Sequence, residues 1–158
     1  SQGGGVYMSG TAVLINCTIT GNGVNKTDSL GAGLYRTGNA GVTNAIIWDN
    51  CNLTTNVLSN VAETYPTGVG YSCAPELTIG VHNVTQNPLF KAAGAGYGLA
   101  CIVGDYHLSE GAPCQGAGAV LPGMAAQTDL AGGPRVVASR VDMGCYQTGV
   151  RGTVILVY

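Results

Sequence analysis

The sequence states itself twice. The stretch "GGGVYMSGTAVLINCTITGN" (residues 3–22) is followed by "GAGLYRTGNAGVTNAIIWDN" (residues 31–50). Seven positions coincide at one spacing of 28: Gly3/Gly31, Gly5/Gly33, Tyr7/Tyr35, Gly10/Gly38, Asn16/Asn44, Ile19/Ile47 and Asn22/Asn50. The shared residues are glycine, tyrosine, isoleucine and asparagine, with no acid, base or histidine among them. Such a repeat preserves backbone shape and packing. A period of roughly 20–50 residues with several short apolar runs marks stacked units that bury a continuous core.

Runs such as "VLINCTI" (13–19) and "VTNAIIW" (42–48) are rich in β-branched residues and bounded by Gly and Asn. They read as short strands, too brief for helices. Alternation along them is weak, as in strands that are not simply wet on one side. The pairs Cys17/Ala45, Ile19/Ile47 and Val6/Leu34 are expected to point inward. A propeller blade would need about 40–45 residues and its own repeated Trp-Asp signal, whereas Trp48-Asp49 occurs once. A leucine-rich repeat would need a leucine frame that is absent. The pattern therefore predicts an all-β chain, a right-handed parallel β-helix with an irregular C-terminal cap.

In that fold the asparagines acquire a role. Asn tolerates left-handed backbone at tight corners, and its amide can bond to an equivalent amide above and below. Asn16 over Asn44 and Asn22 over Asn50 are the expected rungs, and Gly3, Gly5, Gly31 and Gly33 are expected to permit close turns. After residue 56 the repeat fades and Pro66, Pro75, Pro88 and Pro113 interrupt the chain. Three segments result: coils over 1–56, a last irregular coil plus cap over 57–147, and a strand-forming tail over 148–158. A terminal cap hides the core and the strand edge of a solenoid. Ser1 falls inside a repeat, so the first strand, around Val6, is expected to offer an open edge. Upstream coils of the same polypeptide or a neighbouring identical subunit would pair there. The tail "RGTVILVY" is expected to dock on its own cap or on a neighbour, through Val154, Leu156 and Tyr158.

Composition narrows the function classes. Only 9% of residues are charged and the net charge is −2, which disfavours nucleic acid, whose phosphates call for clustered Lys and Arg. No run of 18 apolar residues is present to span a membrane. The six cysteines, Cys17, Cys51, Cys73, Cys101, Cys114 and Cys145, show no C-x-x-C and no zinc-like spacing with His. Disulfides in an oxidising compartment are expected, with small buried thiols as the alternative.

The repeats resemble the glycine-glycine-aliphatic and hydrophobic-x-x-Asn motifs of chlamydial polymorphic outer-membrane proteins and the wider pectin-lyase-like β-helix superfamily. The segments "NPLF", "DYHLSEGAPCQGAG" and "TDLAGGPRVVASRVDMGCYQ" resemble the choice-of-anchor Q domain that ends many secreted bacterial β-helix proteins. The likeness covers about residues 44–147. It departs at Asn87 (usually Asp), Ala112 (Ser), Cys145 (Ala) and Gln147 (Glu). The resemblance implies an extracellular or cell-surface protein and supplies no catalytic residues. It also implies that the segments holding Cys114 and Cys145 run side by side and are bonded. Cys51 with Cys73 is the further pairing expected.

Acids are sparse in the repeats. Asp28 and Asp49 are the acids of residues 1–56, and they do not occupy equivalent positions. A glycosidase needs two facing carboxylates and a lyase needs Ca²⁺-binding acids beside a base. No catalytic residue, metal ligand or cofactor is therefore expected. The expected role is structural or adhesive, possible partners being surface glycans, with a carbohydrate-active or glycan-binding β-helix as the alternative. Asp129, Arg135 and Asp142 are read as a structural trio of the cap, Arg135 pairing with Asp142 while Asp129 closes a turn. Tyr7 and Tyr35 are read as a stacking ladder. His82 and His107 are read as separate polar residues. Four sequons occur, at Asn16, Asn25, Asn52 and Asn83; Asn25, Asn52 and Asn83 are the candidates for glycan.

Overall fold

The computed structural model describes residues 3–63 and 67–149; the strand expected in the tail lies outside them. The described chain is all-β, with two single-turn 3₁₀ segments, Gly98–Ala100 and Met124–Ala126. The first repeat supplies β1 (Val6–Met8), β2 (Val13–Ile15), β3 (Thr18–Ile19) and β4 (Gly23–Val24). The second supplies β5 (Leu34–Arg36), β6 (Gly41–Thr43), β7 (Ile46–Ile47) and β8 (Cys51–Asn52). Each strand of the first row pairs in parallel with its counterpart in the second. Tyr7 lies opposite Tyr35, Leu14 opposite Val42, Ile19 opposite Ile47, and Gly23 opposite Cys51. The sequence spacing of the repeat is thus the register of the sheets.

The rows continue beyond residue 56. After β9 (Val57–Leu58), which folds back antiparallel on β8, come β10 (Val61–Glu63) and β11 (Val69–Gly70). Val61 lies opposite Leu34, Val69 opposite Val42, and Cys73 bridges Ile46, all in parallel. This third row is one residue shorter than the others. It keeps aliphatic residues at positions 61 and 69 but loses the Gly and Asn identities that mark the first two. A shorter return follows, in which Gly70 bridges Val81 and Cys73 bridges Val84. β12 (Phe90–Ala92) and β13 (Asp105–Leu108) then form an antiparallel hairpin.

Corner geometry explains why these residues stack. Asn16 and Asn44 have φ of 55° and 56°, and the same left-handed corner recurs in later rows at Tyr71 (52°) and His82 (53°). A left-handed backbone is tolerated by Asn and costs a larger side chain about 1 kcal/mol. Tyr71 and His82 offset that by ring contact, their centroids being 4.9 Å apart. Gly10/Gly38 and Gly21/Asp49 repeat two further left-handed corners in the first two rows.

Two columns of amides tie the rows. Asn44 Nδ2 donates to Asn16 Oδ1 at 3.0 Å. In the second column Asn22 Nδ2 donates to Asn50 Oδ1 at 2.9 Å, and Asn50 Nδ2 to Asn60 Oδ1 at 3.2 Å. Asn60 Nδ2 donates in turn to Glu76 Oε1 at 3.3 Å. Gly5 and Gly33 are glycine because of this column. A Cβ on Gly5 would stand 2.7 Å from Asn22 Nδ2, and one on Gly33 would stand 2.6 Å from Asn50 Nδ2.

The core lies between the sheets. Leu34, Val42, Ala45 and Ile47 are fully enclosed there, with Ile19 and Met8 of the first row and Val61 and Val69 of the third. Val6 packs at its edge, whereas Cys17, expected inward, is only half-buried. Along β7 the side chains alternate: Ile47 enters this inner core, and Ile46 enters a second cluster with Cys73, Leu108, Ala112, Cys114 and Met143. Strands covered on both faces need apolar residues at successive positions, which is why the sequence alternates so weakly. Tyr7 and Tyr35 stack with centroids 5.7 Å apart and planes 8° apart. Arg36, fully buried, pairs with Glu63 at 3.0 Å and also donates to the Ala40 and Thr67 carbonyls.

The C-terminal segment, residues 112–149, runs along the side of the rows as well as following the last of them. Cys145 N–H donates to Thr18 Oγ1 in the first row at 3.1 Å. Gly144 N–H donates to the Asn44 carbonyl in the second at 2.8 Å. The Asn44 amide also exchanges two hydrogen bonds with the Ala119 backbone, at 2.9 and 2.7 Å. This strap covers the outward face of Ile46.

The paired glycines provide a direct test. Gly33→Ala should destabilise the protein by about 1–3 kcal/mol, because the new methyl meets an amide column with no slack. Gly41→Ala, whose Cβ would have nothing within 4 Å, should stay within about 0.5 kcal/mol of the parent. Urea unfolding midpoints of the two variants measure the contrast.

Candidate functional site

Asp105 and His107 sit two residues apart on β13, and therefore on one face of the hairpin. Asp105 Oδ1 accepts the His107 backbone N–H at 3.1 Å and lies 2.6 Å from His107 Nδ1. The side-chain bond from His107, then the backbone bond, hold the Asp105 carboxyl below its usual range. Asp105 thereby fixes the imidazole with Nδ1–H donating, which leaves Nε2 as an acceptor when the ring is neutral. The ring also stacks on Tyr146, with centroids 3.9 Å apart and planes 18° apart.

His107 and Tyr146 form one wall of an open cleft of about 540 Å³, completed by Lys91, Glu110, Gln115 and Gln147. An aromatic-imidazole face surrounded by an ammonium, a carboxylate and two amides suits recognition of a polar ligand that stacks and hydrogen-bonds. The sequence separates these groups widely: Lys91 lies on β12, His107 on β13, and Tyr146 on the strap. His82 lies at the Tyr71 corner, so the two histidines do not converge. Among the described residues, no group of three or more His, Cys, Asp or Glu side chains is arranged to hold a metal ion. No described helix is long and apolar enough to cross a membrane.

The cap trio is arranged differently from the expected ion pair. Asp129 does close its turn, its Oδ1 accepting from Ala131 and Gly133 N–H at 3.0 and 2.9 Å. Arg135, however, bonds the main-chain carbonyl of Asp142 through Nη2. The Asp142 carboxylate is taken by Gly116 N–H and by the N–H and hydroxyl of Thr148, each at 2.6 Å. Backbone donors, delivered by the strap's own turns, outcompete the guanidinium. Arg135 Nε and Nη1 are buried without an acceptor, and burial pulls the pKa of Arg135 down against the nearby Asp142 and Asp129 charges.

The structure joins no two of the six cysteines, the expected pairs included. Cys114 and Cys145 face different surroundings. Cys114 is wholly buried beside Cys73, whereas Cys145 lines an open cleft with Cys17. Cys51 is likewise not joined to Cys73; it lies in the fourth strand position of the second row. Burial, with smaller help from Cys145, raises the Cys17 thiol.

The candidate sequons differ in their surroundings. Asn52 is 4% exposed, and its amide donates to the Lys26 and Ser29 carbonyls at 3.0 and 3.1 Å. Asn83 donates to the Ile79 carbonyl at 2.8 Å while its oxygen accepts from Ser72 N–H at 3.1 Å. The Asn52 amide is committed inside the fold, a burial that the sequon does not announce, whereas Asn83 is partly exposed and its bond to Ile79 lies at the surface. Asn25 remains exposed. The Tyr ladder offers one accessible ring, since Tyr7 is 56% exposed and Tyr35 only 8%.

No known protein family, curated protein or solved structure matches the chain.

The Asp105–His107 contact can be read directly. In His107→Ala the Asp105 carboxyl should titrate higher, back toward the ordinary value of about 3.9. An NMR pH titration of the Asp105 side chain measures it. A depressed carboxyl pKa contributes stability present above the unfolded value and lost as pH falls through the folded one. The contribution of this exposed pair should therefore vanish in the acid range below about pH 4.

Proposed function

We propose that this chain is a structural or adhesive segment of an extracellular surface protein. In this reading the rows are coils of a right-handed parallel β-helix, and the C-terminal strap is a cap of the choice-of-anchor Q kind. The observation that carries the proposal is the in-register parallel stacking of the repeats, in which the matching positions hold corners, rungs and spacing. Stacked strands end in an edge, and β1, β2, β3 and β4 each occupy the edge of their sheet. That edge exposes Tyr7, Val13 and Ile15. Unpaired N–H and C=O groups beside apolar side chains form a template for another strand. Upstream coils of the same polypeptide, or a second copy stacked head to tail, are the partners of this chemistry.

A glycan-binding role is the second reading, favoured by the His107–Tyr146 cleft. The half-buried ring pair and the polar groups beside it form a concave site with the few convergent polar groups that fix a small ligand.

Two experiments test the proposal. Light scattering of the segment over a concentration series should show growth beyond the monomer, and Val13→Lys should suppress it, because an edge lysine blocks strand addition. A strictly monomeric parent at every concentration would overturn the docking edge. Assays on polyuronides and neutral polysaccharides should show no turnover, whereas cleavage abolished by mutating one Asp or Glu would assign the protein to the enzymes instead.

A further inference from the structure

The structure assigns the sulfur pairing differently from the likeness described above: we propose that Cys73 and Cys114 are disulfide partners, joining the third row to the strap. Both side chains are 0% exposed and belong to one cluster with Ile46, Leu108 and Met143. The two side chains enter the same interior, packed with Ile46 between the third row and the strap. Cys73 Sγ–H points to the Gln86 carbonyl at 3.4 Å. Each thiol is held from behind by backbone: Cys73 bridges Ile46 and Val84, and the Cys114 carbonyl accepts Met143 N–H at 3.1 Å. Cys145 is committed elsewhere, its N–H on Thr18 and its side chain in the cleft it shares with Cys17 and Arg135.

The chemistry is thiol–disulfide exchange with a small disulfide such as oxidised glutathione. One cysteine thiolate attacks a glutathione sulfur, forming a mixed disulfide and releasing one glutathione thiolate. The second cysteine thiolate attacks the protein sulfur of that mixed disulfide and releases the other. The two cysteines lose two protons and two electrons, and glutathione disulfide takes both to become two thiols. The contact with Cys73, followed by burial, pushes the Cys114 thiol well above its ordinary range, so thiolate is scarce once the chain is folded. The bond therefore closes during folding, while glutathione still has access. This inference stands apart from the proposed surface role, since it concerns only the isolated chain.

The test is refolding of the reduced protein in a mixture of oxidised and reduced glutathione, then alkylation of remaining thiols and non-reducing peptide mapping. A peptide pair linking Cys73 to Cys114 is expected. Linkage of Cys114 to Cys145, or alkylation of both Cys73 and Cys114, would overturn the proposal. A mutant cycle gives a second reading. With a bond present, Cys73→Ala, Cys114→Ala and the double variant should lower the urea midpoint by similar amounts, and a reductant should lower only the parent. Additive single effects together with a parent indifferent to reductant would refute it.

Discussion

The column that runs from Asn22 through Asn50 and Asn60 to Glu76 is the contact on which the stack depends. Each amide donates in the same sense, and the last acceptor is a carboxylate. Amide dipoles aligned head to tail strengthen one another, and an anion at the accepting end completes the series. Because Asn50 and Asn60 are buried, a missing rung there leaves a donor that water cannot reach, at a cost of about 1–3 kcal/mol. The column therefore fixes register. A slip of one residue would put a Cβ where Gly5 and Gly33 leave space, and would flip Ile47 out of the core.

Much of this was legible in the sequence, because identical residues sit at identical positions. The register of β1 to β4 on β5 to β8, both amide columns of the first two rows, and the Tyr7–Tyr35 stack all follow from one spacing. The third row was hidden, since it shortens by a residue and keeps only aliphatic character at Val61 and Val69. Its concealment also hid the pairing of buried Arg36 with Glu63, adjacent only once the shorter register is known. The left-handed corner persists there with Tyr71 and His82, residue types that do not announce it.

The strap was the least legible part. Its path decides which side chains meet: Cys114 with Cys73, Cys145 with Cys17, and Tyr146 with His107. None of these pairs shares a periodic spacing, so composition and repeat analysis offer no handle on them. The commitment of the Asp142 carboxylate to Gly116 and Thr148, instead of to Arg135, has the same origin. Gly116 N–H occupies one carboxylate oxygen and Thr148 the other, so Arg135, although only seven residues away, is left with the main-chain carbonyl. Asn52 shows the converse, in which a motif common on surfaces lies on a strand whose amide is enclosed against the Lys26 and Ser29 carbonyls.

The strap also sets an order of events during synthesis. The chain emerges from the ribosome at its amino end, so the rows can pair while the carboxyl half is still being made. Their contacts close loops no longer than one repeat. The outward face of Ile46, by contrast, is covered by residues that include Met143, and Thr18 waits for Cys145. Until those residues appear, a nascent chain carries an apolar sheet face open to water and to its neighbours. A premature stop ahead of the strap would make that transient state permanent, so truncated products should aggregate although their repeats are intact.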